Sequence, residues 1–254
     1  MLFVLLLIFE IFYSASCSMS CYQAPFDTNK FDYIVTSEHF PMKLDNYTLV
    51  TNSTTCYLQV LWQRNPNQTN IGLVAGTINE QSLTLEHKLQ ALVGYQRIGS
   101  APMWYKQIIY QCATNECNSL NQLKQLLTSL TVNESLSSLT YLLDPVKPFH
   151  AEWCYRGSNV SMDQCNTSTP ISQCQRCDLI ETMDEHGLGI CGKCSTEDPD
   201  NSLLLYEKTF NITSRTETSS WGILCARQNC NRPAIGSAIQ QKTLISFNYS
   251  AFIK

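Results

Sequence analysis

Charge is scarce in this sequence. Only 15% of its 254 residues are charged, 17 Lys and Arg against 21 Asp and Glu, for a formal net charge of −4. A nucleic-acid partner calls for a basic face, and no block of like charges occurs anywhere. Long apolar runs are also missing. No stretch reaches the roughly 18 to 20 apolar residues that a membrane span requires, so no transmembrane segment is expected. Catalytic signatures are absent too: there is no G-x-S-x-G, no H-E-x-x-H and no phosphate-binding loop. The four histidines, His39, His87, His150 and His186, stand apart from one another and from any Ser or Cys nucleophile motif. The most suggestive polar cluster, Asp184-Glu185-His186, precedes Gly187-Leu188-Gly189 and reads as a loop tip. No catalytic residue, metal ligand or cofactor is expected.

What the chain does have is an export signature. Leu2 to Phe9 is a short apolar run, broken by Glu10 and followed by the small residues Ser14-Ala15-Ser16-Cys17-Ser18. This is the pattern of a signal peptide, placed at residues 1–17. The segment after Thr243 does not resemble the removable apolar tail of a lipid-anchored protein. Eight Asn-x-Ser/Thr sequons agree with export: Asn46, Asn52, Asn67, Asn133, Asn159, Asn166, Asn211 and Asn248. Glycosylated, these positions face solvent.

Thirteen cysteines are present. Cleavage after Cys17 or Ser18 leaves an even set of twelve, as a disulfide framework requires. Cys21, Cys56, Cys112 and Cys117 fall in the first half. Cys154, Cys165, Cys174, Cys177, Cys191, Cys194, Cys225 and Cys230 fall in the second. In a cytosolic protein, the two C-x-x-C pairs from Cys174 to Cys194 would suggest four thiolates around zinc. Behind a signal peptide, oxidised pairs are the better expectation. Cys191-Gly192-Lys193-Cys194 has the spacing of a redox dithiol, which works at a helix N-terminus. Here the turn-forming Ser195 to Asp200 follows instead.

The chain repeats itself. Cys112 to Asn118 reads CATNECN, and Cys225 to Asn231 reads CARQNCN. Cys21-Tyr22 and Cys154-Tyr155 open the two halves. Leu92 to Arg97 resembles Leu203 to Lys208, with Tyr95 matching Tyr206, and Trp104 and Trp221 are read as opening the two final strands. Short apolar and aromatic runs separated by Asn, Pro, Gly and Ser predict strands at 56–62, 71–78, from Leu89 and from Met103. The segment between the halves puts Leu120, Leu123, Leu127 and Leu130 at helical spacing, and Leu136, Leu139 and Leu143 continue it. Asn118 or Ser119 caps its start, and Asp144-Pro145 and Lys147-Pro148 stop it. The fold class is therefore mainly β: a first Cys-rich module at 18–118, a Leu-rich helical linker at 119–150, a second module at 151–236 and a tail at 237–254.

These residues resemble the Ly6/uPAR family, the three-finger fold shared with snake toxins. Its domains open on Cys-Tyr and close on C-x4-C-N. The resemblance implies small disulfide loops at Cys112–Cys117 and Cys225–Cys230, with Asn118 and Asn231 bonded back into the disulfide knot. It also implies Cys21–Cys56 and Cys154–Cys177, and leaves Cys165, Cys174, Cys191 and Cys194 unassigned. The sequence departs from the family at Gln111 and Leu224, where a cysteine is usual. The resemblance further implies binding to an extracellular protein or receptor without catalysis. A structural role in a matrix or coat is the alternative, and a secreted enzyme is a third.

Overall fold

The computed structural model describes residues 19–76, 87–98, 102–161, 165, 169–196 and 201–252. The signal-peptide assignment lies outside these residues. The protein is mainly β and antiparallel, with six disulfides.

In the first half, β1 (Met19–Gln23) pairs with β3 (Thr48–Ser53) as a separate hairpin. The other strands are β2 (Lys30–Phe31), β4 (Thr55–Gln63), β5 (Gln68–Gly76), β6 (Lys88–Ile98) and β7 (Pro102–Cys112). The second half contributes β9 (Gly157–Ser158), β10 (Arg176–Asp184), β11 (Gly187–Ser195), β12 (Asn201–Asn211) and β13 (Thr216–Cys225). All but β1 and β3 join one ten-stranded sheet, in the order β2-β5-β4-β7-β6-β12-β13-β10-β11-β9.

The second five strands mirror the first five outward from the β6–β12 seam. Cys56 of β4 faces Cys112 of β7, and Cys177 of β10 faces Cys225 of β13. At the seam Leu92 faces Glu207. Leu92 also faces Gln107, the fifth residue before Cys112, and Glu207 faces Ser220, the fifth before Cys225. An approximate two-fold axis therefore passes through the Leu92–Glu207 pair. The halves are not separate bodies on a tether, because β6 and β12 pair from Lys88–Asn211 to Ile98–Asn201.

The Leu-rich segment is only partly helical. Ser119 caps α1 (Leu120–Ser129) by accepting from the Gln122 backbone at 3.3 Å. Leu123 and Leu126 are the leucines that α1 buries. From Leu130 the chain becomes β8 (Leu130–Glu134), which pairs with β14 (Thr243–Phe247). Thr131 and Val132 favour the extended state, and the partner strand is distant in sequence. A 3-10 turn then covers Leu136–Leu143.

The same succession follows the second half. After Asn231 comes α2 (Pro233–Gln241), then β14, then the short α3 (Tyr249–Phe252). Val132 and Ile245, each fourteen residues after its knot asparagine, face each other in the β8–β14 ribbon. The 119–150 segment is thus the counterpart of 233–252, and α2 runs through the position read as the start of a tail. Helix α2 buries only Gly236 and Ile239, so it carries no leucine stripe.

One face of the sheet is covered and forms the core. Along β4, Cys56, Leu58, Val60 and Trp62 are buried, while the alternate residues are partly exposed. Period-two alternation of this kind places one set of side chains inward. Each such residue contributes on the order of 1.5–3 kcal/mol. The buried Trp62 donates its indole N–H to the Val35 carbonyl at 2.9 Å.

The proposed Tyr and Trp equivalences shift. Tyr95 faces Trp104 and Tyr206 faces Trp221, so the pair occurs twice. Trp104 is eight residues before Cys112 and Trp221 four before Cys225, so the second pair sits one helical-turn length of sequence closer to its knot. Trp221 lies in the middle of β13 rather than at its start. The position matching Trp221 is Ile108, and Val60 facing Ile108 corresponds to Glu181 facing Trp221.

Candidate functional site

Two disulfide knots anchor the halves. Cys21–Cys56 packs beside Cys112–Cys117, and Cys154–Cys177 beside Cys225–Cys230. Asn118 Oδ1 accepts from Tyr22 N at 2.9 Å, and Nδ2 donates to the carbonyls of Tyr22 at 2.8 Å and Tyr57 at 3.0 Å. Asn231 repeats this set on Tyr155 N, Tyr155 O and Asp178 O at 2.8, 2.9 and 3.0 Å. Both asparagines are fully buried, and each side chain satisfies backbone groups that strand pairing leaves open.

Neither C-x-x-C pair closes on itself, and the four cysteines are not gathered as thiolates, because all are in disulfides. Cys174 bonds Cys194 and Cys165 bonds Cys191, with Cys177 held by Cys154. The close trio Cys56, Cys112 and Cys117 is likewise disulfide-bonded. His39 stacks on Tyr33, His87 bonds Tyr110, His150 lies against Trp153, and His186 lies beside Glu185. The histidines thus occupy four unrelated places. Asp184 and His186 sit at the exposed β10–β11 tip, where Asp184 Oδ1 accepts from His186 N at 2.8 Å.

Of the sequon asparagines, Asn46, Asn52, Asn67, Asn133, Asn159 and Asn248 are exposed and Asn211 is half-buried. Asn166 lies outside the described residues. No helix among the described residues is long and apolar enough to cross a membrane.

The second face of the sheet carries the most distinctive surface. Register places Gln59, Leu61, Gln107, Ile109, Gln90 and Leu92 on it from the first half. Leu203, Leu205, Gly222, Leu224, Ile180 and Thr182 continue it in the second. The charged side chains that the register places on this face among these strands and β11 include Lys88, Glu207, Asp178 and Lys193, the last paired with Asp178. Burial, then the neighbouring Glu207 carboxylate, push the Tyr105 phenol up to about 12. Burial raises the Asp178 carboxyl, and Lys193 at 3.6 Å draws it back.

A groove of about 340 Å³ runs along β10, β12 and β13. Ile180, Leu203, Leu205 and Leu224 line it, with Gly222 between them and Asp178, Glu207 and Ser220 at its ends. A Cβ on Gly222 would fall 2.4 Å from the Leu179 carbonyl oxygen, so glycine is required there. Ile180 remains 43% exposed, although a large aliphatic side chain gains by burial. Sequence reasoning missed this site because its residues come from three strands. The alternating Leu203-x-Leu205 of LLLYEK was the available signal.

No family model, curated protein or solved structure matches this chain.

Proposed function

We propose that this chain is an exported glycoprotein of two copies of one disulfide-stapled module, and that it binds another extracellular protein through the second face of the sheet. The observation that carries this reading is the groove whose centre is lined by Ile180, Leu203, Leu205 and Leu224, with the charged Asp178 and Glu207 at its ends. Depletion of charge around an apolar centre characterises the core of a protein interface. Polar groups at the rim, here Asp178, Glu207 and Ser220, fit the same pattern.

Export is supported by six disulfides, which persist in oxidising compartments, and by the exposure of six sequon asparagines. Duplication and the Ly6/uPAR affinity are supported by the matching knots, in which each closing asparagine grips the residue after the opening cysteine. Both sheet edges are two-residue strands, β2 and β9. Short edges resist edge-to-edge polymerisation, which favours a binder over a coat component.

The test is site-specific photo-crosslinking in the native extracellular medium. A crosslinker at Leu205 or Ile180 should trap a partner polypeptide, saturably and in competition with unlabelled protein. One at Leu244, which is 56% exposed on the opposite side, should not. Equal trapping at all three positions, or none at Leu205 and Ile180, contradicts the proposal.

A further inference from the structure

The sequon asparagines differ in what their side chains already hold. Asn211 Oδ1 accepts from Thr213 N at 3.1 Å and from Ser214 N at 3.0 Å. These bonds fix the amide plane in the β12–β13 turn and use only its acceptor. Nδ2, the atom to which a glycan is joined, makes no hydrogen bond to the described residues. Glycosylation leaves Oδ1 an acceptor, so the turn survives it. In Asn159, by contrast, Nδ2 donates to the Leu188 carbonyl at 2.8 Å while Oδ1 accepts from Ile190 N at 2.6 Å.

Asn211 is also the sequon asparagine that lies within a strand of the ten-stranded sheet. It faces Lys88 across the β6–β12 seam. Side chains alternate along a strand, so Asn211 shares the second face with Thr209 and Glu207. Beside it on that face is a cavity of about 200 Å³, lined by Lys88, Gln90, Ile109, Gln111, Glu207 and Thr209. Lys88 faces Gln111 while Gln90 faces both Ile109 and Thr209, so β7, β6 and β12 together supply the lining.

This lining suits one sugar ring. Its volume is that of about seven waters, below the roughly 300 Å³ at which ligand pockets usually begin. Gln90 and Gln111 each present an amide donor and a carbonyl acceptor. Neither side chain is hydrogen-bonded to the described residues. Thr209 adds a hydroxyl, 3.5 Å from Glu207 Oε1. Half-buried Ile109 supplies an apolar patch between these polar groups. Lys88 and Glu207 carry opposite charges, so the cavity selects neither an anion nor a cation.

We propose that this cavity seats the first N-acetylglucosamine of a glycan carried by Asn211. The acetyl methyl and the apolar ring face lie on Ile109, and the acetamide and hydroxyls pair with Gln90, Gln111 and Thr209. The proposal rests on the reading of the chain as an exported glycoprotein and does not depend on the groove at Leu205. Seated there, one sugar touches three strands across the central seam. It covers that end of the second face and leaves the groove beyond Glu207 open.

The test uses the disulfide-bonded protein secreted from a eukaryotic host. Glycopeptide mass spectrometry should find Asn211 occupied. After an endoglycosidase trims the folded protein to one N-acetylglucosamine per site, NMR should show a cross-peak between an acetyl methyl and the Ile109 side chain. That cross-peak should be missing from Asn211→Gln. Gln90→Ala keeps the sequon and sits on an exposed face. It should speed enzymatic release of the glycan from Asn211 about fivefold, the scale of one lost hydrogen bond, and leave release from the other occupied sequons unchanged. Three outcomes overturn the proposal: a bare Asn211 beside occupied sequons, no cross-peak to Ile109 in the trimmed protein, or an unchanged release rate in a Gln90→Ala variant whose spectrum shows the native fold. A chain without glycan at any sequon would overturn the glycoprotein reading as well.

Discussion

Asn118 holds Tyr22 by both of its backbone groups, accepting from the N–H at 2.9 Å and donating to the carbonyl at 2.8 Å. The side chain thus acts as a one-residue strand, tying the first residue after Cys21 to the end of the module. Its third bond, to the Tyr57 carbonyl, brings in the residue after Cys56. Asn231 does the same for Tyr155 and Asp178.

Replacing either asparagine with alanine leaves three buried backbone groups without partners. Each orphaned group costs roughly 1–3 kcal/mol, less whatever water recovers. Asn118→Ala and Asn231→Ala should each destabilise the protein by about 2–4 kcal/mol. Asn118→Asp should be at least as damaging, because it turns a donor into an acceptor facing two carbonyls. Thermal unfolding of the non-reduced protein measures all three.

The disulfides should rank by loop length. Cys21–Cys56 closes a separation of 35 residues and Cys112–Cys117 one of 5. In the chain-entropy model these correspond to about 4 and about 2 kcal/mol. Paired Cys→Ala variants, compared by denaturant midpoint at constant slope, should lose stability in that order. Equal losses would mean that the small loop acts mainly by positioning Asn118.

Glu181 should give the protein a specific pH response. It is 2% exposed, and its Oε2 accepts from Trp221 Nε1 at 2.8 Å. Burial raises its carboxyl above the ordinary value, opposed in part by that hydrogen bond. A raised folded pKa means that the folded state holds the proton more tightly. The associated stability is complete below the unfolded value of about 4.3 and is lost as pH rises through the folded value. Glu181→Gln keeps the acceptor for Trp221 and removes the titration. Its stability relative to the native protein should therefore increase as pH rises from acid toward neutral, and a constant difference would contradict this.

The β6–β12 seam has a steric requirement at Gly94. A Cβ there would lie 2.2 Å from the Leu204 carbonyl oxygen and 3.1 Å from Leu205 Cα. Both are backbone atoms and cannot swing aside. Gly94→Ala should cost about 1–3 kcal/mol, the usual scale for overpacking. The cost should appear as faster amide exchange along β6 and β12 together.

The strands were legible because apolar alternation is a local signal, and the knots were expected from the family resemblance that the repeated Cys-Tyr and C-x4-C-N carry. CYLQVLW and MWYKQIIYQC fall within β4 and β7. The central seam was not legible. Pairing of Leu92 with Glu207 depends on two strands more than a hundred residues apart, and neither advertises its partner. The β8–β14 ribbon was hidden for a similar reason. Thr131-Val132-Asn133 follows a helical leucine pattern, and only Ile245 across the ribbon decides for strand. The Tyr and Trp repeats were visible, but residue identity alone gave the wrong register. Tyr206 resembles Tyr95 in sequence, yet its place relative to the knot is that of Ala91, which faces Ile108 as Tyr206 faces Trp221. The groove at Ile180, Leu205 and Leu224 exists only once three strands are adjacent.

The central claim is that two matching knots flank one continuous sheet, and disulfide mapping of the non-reduced protein from a eukaryotic secretory host tests it most directly. The account predicts Cys21–Cys56, Cys112–Cys117, Cys154–Cys177, Cys165–Cys191, Cys174–Cys194 and Cys225–Cys230. Free thiols between Cys174 and Cys194, or a bridge from the first four cysteines to the last eight, would contradict it.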